Sequence, residues 1–160
     1  MRVIRAALNY AGESEGAFDP TAAPLMDLWG LTGGSIPAAP PSQSQIGQRM
    51  DIVGYTLVRI GMQGDPDSKG RSSGGTVFLE RPGMRLDLGG IAKGYAVDEC
   101  YAALKAEGFA RFIVGIGGNL RVSGGRSSSE GWRIGVRDPF DRQGSLGWLE
   151  LGCGMAVATS

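Results

Sequence analysis

The stretch Asp87-Leu88-Gly89-Gly90-Ile91-Ala92-Lys93-Gly94-Tyr95-Ala96-Val97-Asp98 decides how this chain is read. It passes from a strand end, through two glycines, into the first turn of a helix. Apolar residues keep helical spacing through Ile91, Tyr95, Val97, Tyr101, Ala102 and Leu104, and Gly108 supplies the stop. The spacing therefore predicts that the longest helix starts near Gly90–Ile91 and ends near Gly108. A helix N-terminus carries unpaired N–H groups and the positive end of the dipole, which suits phosphate. The glycine pair lets a ligand approach the backbone, and Lys93 adds a cation in the first turn. The spacing is not that of a Walker A loop, which needs Gly-Lys-Ser/Thr after a four-residue spacer. A plain strand-to-helix turn with a solvated lysine accounts for the same residues, and both readings stand at this point.

Toward the N-terminus, Val3, Ile4, Ala7, Leu8 and Ala11 recur at helical spacing, and residues 22–29 read as a short helix. Residues 30–44 hold prolines, glycine and serine and read as a loop. A helix is expected over residues 45–53, a strand from Tyr55 to Ile60, a Gly/Asp/Ser connection over 63–75, and strands at Thr76–Glu80 and Met84–Leu88. Toward the C-terminus, strands are expected at Phe109–Ile116, Asn119–Ser123, Trp132–Arg137, Leu146–Leu151 and Met155–Ala158. The Gly/Ser/Arg stretch at 124–131 reads as a hairpin loop. Short strands with a few helices inserted give an α+β class with a mixed or antiparallel sheet. With no internal repeat and no boundary signal, residues 1–160 read as one partial domain.

Composition bounds the function. Lys plus Arg equals Asp plus Glu, 16 each, so there is no cationic surplus of the kind a nucleic-acid binder needs, and no polybasic membrane anchor. No apolar run is long enough to span a bilayer. The 28 glycines exceed ordinary usage, and five adjacent pairs stand out: Gly33-Gly34, Gly74-Gly75, Gly89-Gly90, Gly117-Gly118 and Gly124-Gly125. Most pairs read as turns; ligand approach leads only at Gly89-Gly90, with Gly117-Gly118 as a second candidate. Gly115-Ile116-Gly117-Gly118-Asn119 is followed by a strand pattern rather than a helix, so it reads as a β-turn or bulge and not as a dinucleotide loop. Cys100 and Cys153 have no metal spacing and are expected as free buried thiols, with a disulfide still open. Trp29, Trp132 and Trp148 are expected in the core rather than stacked on a ligand. The sequence has no histidine, so a general base from within it would be a carboxylate.

The run DLGGIAKGYAVD resembles the signature of the FAD:protein FMN transferases, the ApbE-like flavin transferases. Three further blocks in order are similar to that family: Gly16-Ala17-Phe18-Asp19-Pro20-Thr21 with its continuation to Trp29-Gly30, Val114-Gly115-Ile116-Gly117-Gly118-Asn119-Leu120, and Trp132-Arg133-Ile134-Gly135-Val136-Arg137-Asp138-Pro139. Residues 156–160 resemble the strand before the family's C-terminal section. Asn119 departs from the family, which often has Asp there.

The resemblance implies an ApbE-like, T-fold-related domain, here an internal piece without either end. It implies that Ala17, Phe18 and Asp19 line an FAD site, that Gly89 gives FAD close backbone approach, and that Lys93 and Tyr95 lie near the dinucleotide. Asp19 also fits an Asx-turn before Pro20, and the two roles are compatible. The resemblance further implies that the Ala92 carbonyl is a magnesium ligand, whereas Asp87 and Asp98 are expected to be structural. No catalytic residue is identified. The implied reaction transfers FMN from FAD to a Ser or Thr hydroxyl of a flavin-accepting protein, with magnesium as cofactor and AMP as the leaving group. An Asp, a Thr and a His of the family's site are expected beyond Ser160, so the piece alone is expected to be inactive, with an exposed apolar edge at Met155–Ala158. A flavin-binding or FAD-hydrolysing relative, and a non-catalytic domain whose glycines are only turns, remain as alternatives. The resemblance suggests a periplasmic or membrane-anchored setting, with a cytoplasmic one still open.

Overall fold

The computed structural model describes residues 1–33, 35–61, 75–127, 130–141 and 143–159. The expected connection over 63–75 therefore lies almost wholly outside the described residues. The chain forms two compact units, Met1–Ile91 and Ala92–Ser160.

The first unit opens with α1 (Arg2–Glu13), whose Ala7 and Ala11 are buried. Next come α2 (Ala23–Leu28) and α3 (Gln43–Met50). Helix α3 starts two residues earlier than the periodicity suggests because Ser42 and Gln45 form a reciprocal cap. The Ser42 Oγ accepts from the Gln45 N–H, and the Gln45 Oε1 accepts from the Ser42 N–H. A single 3-10 turn (Tyr55–Leu57) leads into β1 (Val58–Gly61), which pairs antiparallel with β2 (Thr76–Leu79). The core of this unit includes Ala7, Ala11, Ala23, Val58 and Met84.

Residues 84–88, expected as a strand, form no ladder. Their backbone is committed elsewhere: the Asp87 N–H donates to the Pro20 carbonyl at 2.7 Å. The segment is thereby tied to the loop at residue 20 rather than to a neighbouring strand.

Helix α4 (Gly89–Ala106) is the longest in the structure, as its glycine-bounded apolar pattern predicts. The Asp87 Oδ1 accepts from the Gly89 N–H at 2.6 Å and caps its start. Gly108 ends it at φ +87°, the left-handed conformation that glycine adopts without steric cost.

In the second unit, β3 (Phe112–Ile116), β4 (Asn119–Ser123) and β7 (Ala156–Val157) form an antiparallel sheet in the order β3-β4-β7, while β5 (Trp132–Arg137) and β6 (Ser145–Leu151) form a separate antiparallel pair. Strand β3 begins at Phe112 rather than Phe109 because Gly108 has only just closed the helix. The stretch at 124–131 is not a hairpin loop: β4 and β5 belong to different sheets, and this segment carries the chain between them. The Trp132 indole N–H donating to the Ser123 carbonyl at 3.1 Å anchors the passage.

Side-chain burial departs from expectation at two residue types. Cys100 and Cys153 are free, but both are exposed. Of the tryptophans expected in the core, Trp29 is 42% and Trp148 64% exposed, and only Trp132 is half-buried. The Arg133 guanidinium stands 5.5 Å from the Trp148 ring centroid.

Candidate flavin site

The expected ligand residues of the first unit converge on one loop and one turn. In the loop, the Asp19 Oδ1 accepts from the Thr21 N–H at 2.8 Å and from the Thr21 hydroxyl at 2.6 Å, which is the Asx-turn geometry the Asp-Pro-Thr grouping suggests. The Asp19 Oδ2 accepts from the Tyr55 N–H at 2.9 Å. The Thr21 hydroxyl also accepts from the Gly54 N–H at 2.7 Å. Upstream, the Phe18 N–H donates to the Ser14 Oγ at 3.1 Å. Ala17 is exposed, Phe18 and Asp19 are half-buried, and Pro20 and Thr21 are buried.

The turn at Asp87–Gly90 meets this loop directly. Besides the Asp87–Pro20 bond, a Cβ on Gly90 would stand 3.1 Å from the Phe18 ring. A Cβ on Gly89 would stand 2.9 Å from the Asp87 Oδ1 and disturb the cap. The glycine pair thus has two structural reasons beside the ligand-approach reason, one for each residue. Sequence reasoning identified the pair but not Thr21, Gly54 or Tyr55. Only the Thr after Asp-Pro gave any signal, because the bonds to Gly54 and Tyr55 span 33 and 36 residues.

In the second unit, Ala92 and Lys93 are exposed and Tyr95 is half-buried, all in the early turns of α4. The Lys93 Nζ donates to the Gly117 carbonyl at 3.2 Å. Gly117 and Gly118, at φ +54° and +91°, form the two-residue turn between β3 and β4. The Gly118 carbonyl accepts from both the N–H and the hydroxyl of Thr159, at 3.2 and 3.1 Å. Asp98, expected as a helix-face charge, pairs with Arg121 at 2.8 Å, and the Arg121 guanidinium lies 4.2 Å above the Tyr101 ring.

Each unit also carries a concavity. One of about 480 Å³ in the first unit is lined by Pro24, Asp27, Leu28, Arg49, Ile52 and Arg85, together with Gly83, and by none of residues 17–19. One of about 230 Å³ in the second unit includes Gly94, Asp98, Asn119 and Leu120. No group of three His, Cys, Asp or Glu among the described residues could hold a metal ion. Ala92 is the fourth residue of α4, so its carbonyl points along the helix as a ladder acceptor. Magnesium is normally held through at least one carboxylate, so the described residues do not by themselves make its donor set. Among the described residues, no helix is long and apolar enough to cross a membrane.

An α+β chain with small antiparallel sheets, whose Phe18–Thr21 loop packs on a Gly-Gly helix start, belongs to a recognisable class. The sequence pattern of the ApbE family matches residues 1–160, and the chain belongs to that family. It is 30% identical over 160 residues to the FAD:protein FMN transferase of Vibrio cholerae, covering 100% of this chain and 44% of that protein. It is 32% identical to the FAD:protein FMN transferase of Rhodobacter capsulatus, covering 99% of this chain and 28% of that one. Among solved structures, flavin transferase ApbE from Vibrio cholerae superposes with a TM-score of 0.73 at 30% identity, over 95% of this chain and 46% of that one. The ApbE protein from Thermotoga maritima superposes with a TM-score of 0.74 at 36% identity, over 99% and 48%. The chain thus spans less than half the length of these relatives.

Proposed function

We propose that this chain is part of a single FAD:protein FMN transferase domain, which moves FMN from FAD to a Ser or Thr hydroxyl of an acceptor protein. The observation that carries the reading is the packing of the Ala17-Phe18-Asp19 loop on the Gly89-Gly90 turn, which joins two of the four family blocks. The relatives' names, FAD:protein FMN transferase, supply the reaction class.

In this reading the acceptor hydroxyl oxygen bonds to the FMN-side phosphorus and gives up its proton to solvent, the pyrophosphate P–O bond breaks, and AMP leaves with the bridging oxygen. Such transfer depends on positioning and charge neutralisation more than on covalent help. Ala17, Phe18 and Asp19 shape the flavin-nucleotide contact, and the bare backbone at Gly89 admits the ligand. The positive end of α4 faces negative charge, and Lys93 and Tyr95 serve the dinucleotide. Magnesium, when bound, would neutralise the pyrophosphate; Ala92 could offer one neutral oxygen, and the charged ligands must come from outside the described residues.

The test is to incubate the full-length protein with FAD, magnesium and a Ser/Thr-bearing acceptor. In-gel flavin fluorescence on the acceptor with matched AMP release is the expected result. Free FMN with AMP and no labelled acceptor would identify an FAD hydrolase instead.

A further inference from the structure

We propose that Thr21 is a positioning residue for FAD binding, whose hydroxyl fixes Asp19 and through it the Ala17–Phe18 backbone. The inference rests on the transferase reading and deepens it. Thr21 is 0% exposed, so it touches no ligand itself. Its hydroxyl donates to the Asp19 Oδ1 at 2.6 Å and accepts from the Gly54 N–H at 2.7 Å. With the Thr21 N–H at 2.8 Å and the Tyr55 N–H at 2.9 Å, the Asp19 carboxylate takes three donors from its own chain. A carboxylate has about four acceptor sites, so most of this one is spent on holding the loop.

The consequence propagates along a short path. Asp19 and Thr21 pin the loop to the Gly54–Tyr55 turn, and the adjacent Phe18 ring lies against Gly90. Without the hydroxyl, the N–H of half-buried Gly54 and one lone pair of the Asp19 Oδ1 lose their partner. A polar group shielded from water and left without a partner is costly, and the loop can relieve that cost by moving toward solvent. Such movement shifts Phe18 and Ala17, the groups expected to meet the flavin nucleotide. Asp19 therefore acts first on loop geometry, and Thr21 acts through Asp19.

The experiment measures FAD KM and kcat for the full-length protein at saturating acceptor. Thr21→Val is expected to raise the FAD KM about ten-fold, by loss of a charge-assisted bond, with kcat largely kept. Thr21→Ser, which retains the hydroxyl, is expected to match the native protein. A purely structural loss would lower the active fraction and leave KM unmoved. In a double-mutant cycle with Asp19→Asn, the combined KM effect is expected not to exceed the larger single effect. Additive effects would show that Asp19 meets FAD independently of Thr21 and would overturn the proposal. Should Thr21→Val not fold, Thr21→Ala leaves room for a bridging water, and a smaller rise in KM is expected. A native protein that transfers no flavin overturns the transferase reading and this inference with it. An active native protein whose Thr21 variants keep the native KM overturns the inference alone.

Discussion

The loop at Asp19 and the turn at Gly117–Gly118 are both fastened by side-chain hydrogen bonds, yet the fastenings differ in kind. At Asp19, a half-buried carboxylate and a fully buried hydroxyl satisfy four donors between them, two from the Gly54–Tyr55 turn far along the chain. At Gly117, an exposed ammonium makes one bond of 3.2 Å to an exposed carbonyl. Water can replace the second arrangement at little cost, because both partners are well solvated without each other. It cannot enter the first without rebuilding the loop. The difference separates residues that set a site's shape from residues free to exchange partners when a ligand arrives.

The largest effect on stability is expected where the second unit's turn has no room. A Cβ on Gly118 would stand 2.5 Å from the Thr159 hydroxyl and 3.3 Å from its carbonyl, at φ +91°. Gly118→Val meets strain of about 1–3 kcal/mol from the backbone and a similar overpacking term. Denaturant unfolding should show a loss of about 2–4 kcal/mol; a loss below 1 kcal/mol would mean that Thr159 is easily displaced and that the turn is not fixed by it.

Next comes the buried fastening. Thr21→Val should cost about 1–2 kcal/mol, for the half-buried Gly54 donor it leaves without a partner. Thr21→Ser should cost less, since it loses only a methyl group. Equal losses for the two variants would indicate that packing, not the hydroxyl, holds the loop.

Arg121 gives an intermediate case. It pairs with Asp98 at 2.8 Å, stacks over Tyr101 at 4.2 Å and donates to the Gly154 carbonyl at 3.3 Å, while its side chain remains 31% exposed. Arg121→Lys keeps the charge but loses the planar fork and stacking. About 1 kcal/mol is expected, once screening of the half-exposed ion pair is allowed for. Thermal unfolding in high salt should retain most of that difference, because stacking is screened less than the ion pair.

What the sequence made legible follows the same division. Helix α4 was readable because its start and stop are glycines whose roles are local. The Asx-turn at Asp19 was readable because Asp and Thr are two residues apart. The failure at residues 84–88 has a tertiary cause: the Asp87 N–H is spent on Pro20, which no periodicity in 84–88 records. Cys100 is exposed although it lies on α4, because the side that α4 buries is the one carrying Val97, and spacing alone does not say how far burial reaches around the helix. Trp148 lies outside the core because β5 and β6 pair only with each other, and its ring meets an arginine of the opposite strand, a register visible only once the two strands are paired. Of the candidate site, the glycine pair and the Phe18–Asp19 loop could be found in the sequence, but not the Gly54–Tyr55 turn that supports the loop.

The smallest effect on stability is expected at Lys93, and for that reason it tests the comparison most cleanly. An exposed bond between an ammonium and a carbonyl contributes little, so Lys93→Ala should change unfolding free energy by less than about 0.5 kcal/mol. Transfer activity should respond differently. If the ammonium leaves the Gly117 carbonyl for a phosphate oxygen when FAD binds, its loss removes a charge-assisted contact, and the FAD KM should rise about ten- to a hundred-fold. Lys93→Arg, which keeps the charge, should recover part of that rise. A variant that loses stability while its KM is unchanged would make Lys93 a fastening of the Gly117 turn, of the same kind as Thr21. A variant unchanged in both would make it a solvated residue of α4. The expected combination, stability kept and FAD affinity lost, is the behaviour of a side chain whose partner in the free protein only holds the place of the ligand.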